Sequence, residues 1–345
     1  MALFPPRQAA AADVLRSQDL MGCIWVYQHG LYASIRGLHR SLRPFRRWTA
    51  SSSIDDAAMH SLDAVLGPYY ANKDDSVARL LACDSSLRHA IASDAVFFGR
   101  IDVMAAHSLD DDDLRTAALV DLAARGGHVS MVSFLHDQGH PGCTTAALDM
   151  AAARNHFEVV AFLTTHRSEG ATAAAMDDAA ACGHLHMVQY LHMHRTEGCT
   201  TRAMDAAATN GHLDVVHFLH DHRAEGCTTL AMDNAAHRGH VDVVHFLHTH
   251  RHEGCTTDAL DGAAAGGHLD MVRFLHFHRV EGCTTAAFDS ALLNDHGDVV
   301  RFLATHRREG PTAAMRPLVA DQNLYRAMEA SLAEQRRHAS GGLKS

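Results

Sequence analysis

A strict internal period constrains this chain more than any other feature. Within residues 183–285 the segments GHLHMVQYLHMHRTEGCTT, GHLDVVHFLHDHRAEGCTT, GHVDVVHFLHTHRHEGCTT and GHLDMVRFLHFHRVEGCTT follow one another with little change. His128, His156, His184, His212, His240, His268 and His296 mark the same place in seven copies, 28 residues apart with no insertion. Such a period means one supersecondary unit stacked on copies of itself, because a unit so short finds cover for its apolar face only in its neighbours.

A stacked array changes what length implies. A chain of 345 residues would ordinarily suggest two or three domains, whereas a solenoid grows by adding units, so one elongated body is expected. The formal charge of -10, with 47% apolar and 20% charged residues, fits a soluble protein and offers no general attraction to nucleic acid. No stretch approaches 18 uninterrupted apolar residues, so no membrane span is expected. The opening MALFPPRQAAAADVLR holds no apolar run of signal-peptide type. Cys143, Cys199, Cys227, Cys255 and Cys283 share one site of the repeat. At about 10 Å between stacked helices they stand too far apart for a disulfide, which needs Cα atoms about 4.4–6.8 Å apart. Reduced, packed thiols point to the cytoplasm, or to the nucleus, as the location.

Residues 200–225 show what one copy asks of the backbone. Thr200 or Thr201 caps a first helix on which Met204, Ala207 and Ala208 fall at three-four spacing. Alanine pairs, repeated as Ala123-Ala124, Ala151-Ala152, Ala179-Ala180, Ala235-Ala236 and Ala263-Ala264, keep that face narrow enough for adjacent layers to approach. Gly211 stops the helix, and its replacements elsewhere, Asn155 and Asp295, are residues that tolerate the left-handed conformation. The second helix carries Asp214 near its positive end, Val215, Val216, Phe218 and Leu219 as its core stripe, and His222 and Arg223 near its negative end. Each unit is thus two short antiparallel helices and two tight turns.

The pattern Ala-Ala-x-x-Gly-His-Leu-x-Val-Val-x-x-Leu, matched in seven consecutive copies, resembles the helix-turn-helix half of an ankyrin repeat over about residues 84–310. The resemblance implies an all-α fold, an ankyrin-like helical-repeat solenoid of stacked antiparallel helix pairs. Two departures accompany it. Family units run to about 33 residues because a β-hairpin finger joins successive helix pairs. Here His-x-Arg-x-Glu-Gly-Cys-Thr-Thr spans the gap, so the fingers are expected to be missing. The family's Thr-Pro-Leu-His opening is also absent, and Asp121, Asp149, Asp177, Asp205, Asp233, Asp261 and Asp289 take the place of its histidine. Each aspartate is expected to accept bonds from a preceding threonine hydroxyl or from helix-start amides.

The expected organisation has three parts. Residues 1–83 form an N-terminal helical region of unknown role, with helical patterns at 11–20, 61–66 and 76–81. Residues 84–310 hold one degenerate and seven 28-residue units, the degenerate copy being Gly99-Arg-Ile-Asp-Val-Met104, with arginine where the others have histidine. Residues 311–345 make a C-terminal capping helix and a disordered tail. The basic stretch with Arg36, Arg40, Arg43, Arg46 and Arg47 is a solvated helix face that Pro44 ends, with a membrane, calmodulin-like or nuclear-import contact as the alternative. Asp110, Asp111, Asp112 and Asp113 precede a helix whose exposed amides favour negative charge, a capping arrangement and not a calcium loop.

Thirty histidines fall mainly in three columns. His128 and its equivalents open the second helix and are expected to stabilise the turn. His136, His192, His220, His248 and His276 take a site where ankyrin units carry an apolar residue, and His166, His194, His222, His250, His278 and His306 stand near a helix C-terminus. Residues two apart on a helix point about 200° away from each other, so His220 and His222 do not readily share one ion. No metal and no cofactor is expected. Nor is an enzyme, since a catalytic site needs one asymmetric arrangement and these residue types recur in nearly every unit.

Information must then sit where the copies differ. On the first helix these positions are Arg202, Leu230 and Asp258 at one site, Asp178 and Asn234 with Ala206 and Gly262 at a second, and the turn-side residues Arg154, Thr209, Asn210, His237 and Arg238. They recur at i, i+4 and i+7 or i+8, share one face, and would line a groove. The resemblance implies that this groove is the concave, partner-binding face. The expected function is a non-enzymatic, monomeric scaffold that binds another protein. The alternatives are a ubiquitin-ligase substrate receptor, with an F-box-like module over residues 15–42, and a histidine-rich metal-binding repeat protein.

Overall fold

A computed structural model describes residues 27–28, 31–32, 35–47, 55–71, 76–106, 114, 118–315 and 330. The pattern at 11–20, most of the F-box-like stretch, the four consecutive aspartates from Asp110, and the expected capping helix and tail beyond 315 lie outside them. The described residues fall into two compact units, one within 1–151 and 158–170, the other within 152–157 and 171–345.

The first unit opens with a minimal antiparallel ladder, β1 (Tyr27–Gln28) and β2 (Leu31–Tyr32), the one sheet among the described residues. It continues through α1 (Arg36–Ser41), α2 (Asp56–Ala71), α3 (Ser76–Cys83), α4 (Arg88–Phe97) and α5 (Ile101–Ala106). Ile35, Leu38, Leu42, Leu62, Leu66, Leu80 and Leu87 are buried together as its core. Repeat-like pairs follow: α6 (Leu119–Gly126) with α7 (Val129–Asp137), then α8 (Thr145–Ala153) and α9 (Phe157–His166).

The second unit holds five helix pairs: α10 (Ala173–Ala181) and α11 (Leu185–His194), α12 (Thr201–Thr209) and α13 (Leu213–His222), α14 (Thr229–Arg238) and α15 (Val241–His250), α16 (Thr257–Ala265) and α17 (Leu269–His278), α18 (Thr285–Leu293) and α19 (Gly297–His306). Each first helix packs on the next first helix, and these contacts are more extensive than those between second helices. The alanine pairs are the cause. Ala179, Ala180, Ala207, Ala208, Ala235, Ala236, Ala263 and Ala264 are all fully buried, and a methyl is the largest group such close backbones admit. The fold is all-α and built of stacked antiparallel helix pairs.

Local chemistry fixes each boundary. Thr172, Thr200, Thr228, Thr256 and Thr284 are the N-caps of the first helices, each hydroxyl accepting the amide two residues on. At the far end His212 N–H donates to Ala207 O at 2.9 Å across Gly211, whose φ is +78°, and the equivalent site is left-handed in every copy, Asn155 and Asp295 included at φ 60°. The stripe on α13 is narrower than its sequence suggests. Val215, Val216 and Leu219 are buried, whereas Phe218 lies half-exposed at the edge because it stacks on His222.

Candidate partner-binding face

Two ladders of polar bonds tie successive repeats together within the units and leave the rest of the first-helix surface open. In the first, Thr200 Oγ1 donates to Asp177 Oδ2 at 2.7 Å and its amide donates to Oδ1 at 2.8 Å. The same hydroxyl accepts the Arg202 amide, so one threonine caps its own helix and clamps the previous one. The clamp recurs from Thr228 to Asp205, Thr256 to Asp233 and Thr284 to Asp261, and in the first unit from Thr144 to Asp121. The aspartates are acceptors as expected, but the threonine belongs to the following copy, 23 residues on, not to the preceding turn. Burial raises the Asp121, Asp205 and Asp233 carboxyls above their ordinary value, with the threonine bonds opposing the rise.

The second ladder was not anticipated. In the linkers from Arg167 onward an arginine grips a glutamate two residues on, as in Arg195 with Glu197 and Arg251 with Glu253, both at 2.5 Å. The glutamate also reaches the preceding linker, Glu197 Oε1 accepting the Ala171 amide at 3.0 Å. The Arg195 bond holds the Glu197 carboxyl down at about 2. Linker glycines leave room for this: a Cβ on Gly226 would collide with the Arg251 guanidinium. The signal was present as Arg-x-Glu-Gly at fixed spacing. With six residues from His194 to Thr201 and no strand among them, the fingers are absent from these described linkers. Cys199, Cys255 and Cys283 are buried free thiols pushed up to about 11, Cys227 to about 12, first by burial, so they pack and do not react.

The histidines that open the second helices also join neighbouring copies. No side-chain cap bond forms within their own turn. Instead the ring lies against the left-handed glycine of the copy before, a Cβ on Gly211 falling 2.6 Å from His240, and His296 Nε2 donates to Ala265 O at 3.1 Å. At Gly211 glycine suits the site on two counts, backbone and space.

Against this framework the ten candidate residues sort clearly. Arg154, Arg202, Asn210, Leu230, Asn234, His237, Arg238 and Asp258 are exposed, and Leu230 keeps 55% of its surface in water. Arg202 pairs with the half-buried Asp178 at 2.6 Å, and Arg238 Nη1 donates to Asn210 Oδ1 at 3.2 Å while Asn210 Nδ2 donates to Ala181 O at 2.8 Å. His237 lies over Gly262, where a Cβ would fall 2.8 Å from its ring, which accounts for a glycine inside α16. Thr209 is the misfit: its hydroxyl donates to Asp205 O at 2.7 Å, so it serves its own helix.

Residues 176–220 and 204–248 match the family model described as ankyrin repeats in many copies. Over residues 176–248 the stacked units match ankyrin repeats. No curated protein matches the chain. Ankyrin repeats are a protein-interaction module, which is the coarse functional class the match supports. Among the described residues no helix is long and apolar enough to cross a membrane, and no group of three or more His, Cys, Asp or Glu side chains is placed to hold a metal ion.

Proposed function

We propose that this ankyrin-repeat protein is a non-enzymatic scaffold that binds a partner protein across the exposed face of α12, α14 and α16. One observation carries the reading. Positions that repeat faithfully are used up in bonds between copies, while Arg202, Leu230, Asn234, Arg238 and Asp258, which change from copy to copy, stay exposed. Arg202, Leu230 and Asp258 occupy the same site on three successive helices, so a partner segment meets a cation, an apolar side chain and a carboxylate in turn. Asn234 and Arg238 widen that row toward the turn side. Exposed leucine between opposite charges suits a specific protein contact better than a general solvated surface. The reading carries a monomer working in the cytoplasm or nucleus, with no cofactor, nucleic acid or membrane.

The test is affinity capture with the full-length protein, an R202A/N234A/R238A variant, and an H217A/D242A control altered on the second helices. A partner retained by wild type and control but lost from the triple variant supports the face. A partner held equally by all three moves the function elsewhere.

A further inference from the structure

The second helices carry a row of side chains that the partner-binding reading leaves unused. His192, His220, His248 and His276 occupy one site on α11, α13, α15 and α17. Each ring meets a stacked pair from the following repeat, a phenylalanine and the histidine four residues after it. Phe274 and His278 lie parallel with centroids 4.5 Å apart, and Phe302 and His306 at 4.2 Å. The column histidine stands nearly perpendicular to both members. His248 is 5.4 Å from Phe274 and 5.9 Å from His278, and His276 is 5.5 Å from Phe302 and 5.4 Å from His306. The stacked histidines are fixed in turn, their Nδ1–H donating to the carbonyl four residues back at 2.9–3.0 Å.

A ring so placed has no acceptor for a second proton. Nδ1 of His192, His248 and His276 is buried without a hydrogen-bond partner among the described residues, and Nδ1 of His220 faces Arg251 Nη1 at 3.5 Å. The surrounding charges oppose a cation. From the following repeat His248 faces Arg279, His278 and Glu281, with His245 on its own helix, and His276 faces Arg307, His306 and Glu309. His220 faces Arg251 and His250, and His192 faces His222. Only the glutamates favour the charged form, and Arg279 and Arg307 already grip them.

We propose that this histidine column is an acid-sensitive latch between consecutive repeats, closed while the rings are neutral and opened when protonation sets imidazolium against the neighbouring arginine. Burial first, then the arginines, hold His248 and His276 below the ordinary imidazole value. Since these folded-state values are lowered, the latch contributes fully above about pH 6.5 and is lost as pH falls through that reference toward the lowered value. The linker glutamates act in a separate window. Glu197 and Glu253, held near 2, give up their contribution only below the usual carboxylate range.

The experiment is urea unfolding of the full-length protein at about pH 7.5 and about pH 5.5, for wild type and an H192L/H220L/H248L/H276L variant. Relative to the variant, wild type should lose about a further tenfold or more in its folding constant across that interval, contributions common to both proteins cancelling in the comparison. An equal loss in both overturns the latch. Should the variant not fold, imidazole NMR titration of wild type decides: the His248 and His276 resonances must titrate below the ordinary imidazole value of about 6.5, and titration at or above it overturns the proposal.

Discussion

Asp94 in the first unit and the histidine column in the second are both packed titratable groups beside arginine, yet a proton affects them in opposite senses. Asp94 is fully buried on α4, where Arg100 Nη1 donates to its Oδ2 at 2.8 Å. Burial drives its carboxyl up to about 7, and Arg100 pulls it only part of the way back. A raised folded-state value means that the carboxyl's contribution is complete below about pH 3.9 and lost as pH rises through about 7. Between about pH 7.5 and 5.5 the Asp94 site therefore gains stability while the column loses it. Burial penalises whichever form is charged, so it favours the protonated acid and the unprotonated base, and the same arginine helps one charge and repels the other. His128, lowered by burial with its bond to the Phe97 carbonyl opposing, trims the gain in the first unit.

The largest expected effect tests whether Arg100 exists to hold that charge. It stands where regular copies carry the turn histidine, and it reaches Asp63 as well as Asp94 while its guanidinium lies 4.8 Å from the Tyr70 ring. Arg100→Ala should cost about 3–5 kcal/mol at about pH 8, where Asp94 is ionised and left without its partner. At about pH 5.5 the loss should shrink, because a protonated Asp94 needs no cation. Denaturant unfolding at the two pH values measures both, and a loss independent of pH would refute the assignment. Asp94→Asn sharpens the same contrast: amide exchange in α4, corrected for intrinsic rates, should slow in wild type as the medium is acidified from about pH 7.5 to 5.5 and should lose that dependence in the variant.

A middle-sized effect separates two clamps of the same design. Asp233 is 5% exposed, while the Asp261 clamp is open to water. Removing Asp233 strands the Thr256 hydroxyl and amide, so Asp233→Ala should cost about 1–3 kcal/mol. Asp261→Ala should cost less, because water replaces the lost acceptor. Unfolding midpoints that rank the other way would show that the clamp's worth does not come from burial.

Much of this architecture was legible because a period of 28 residues admits few solutions. Helix pairs, the left-handed turn site marked by Gly211, Asn155 and Asp295, short linkers and carboxylate acceptors all followed from the repeat. What failed to follow has one cause. When every copy holds the same residues, a bond within a copy and a bond to the next are indistinguishable in sequence, so the cap that Thr200 gives its own helix was legible while the bond from its hydroxyl to Asp177 of the preceding copy was not. The linker ladder stayed hidden for the same reason, since Arg195 and Glu197 lie two apart while the amide they stitch, Ala171, belongs to the preceding linker. Asp94 carried no signal at all, because the degenerate copy breaks the pattern where its partner stands. The candidate face emerged from periodicity, except at Thr209, whose type suggested a surface contact although a threonine on a helix readily bonds the carbonyl four residues back.

The smallest expected effect concerns that face. Arg202 and Asp178 form an ion pair between copies with Arg202 60% exposed, whereas Arg251 and Glu253 are 21% and 26% exposed and join the linker ladder. Water screens the first pair, so a double-mutant cycle on Arg202 and Asp178 should return about 0.2–1 kcal/mol of coupling. The cycle on Arg251 and Glu253 should return more, since Glu253 also accepts the Cys227 amide, at 3.5 Å. Coupling at the surface pair that equals or exceeds the linker pair would make Arg202 part of the framework. It would then be unavailable to a partner, and the burden of recognition would pass to Leu230, Asn234 and Asp258.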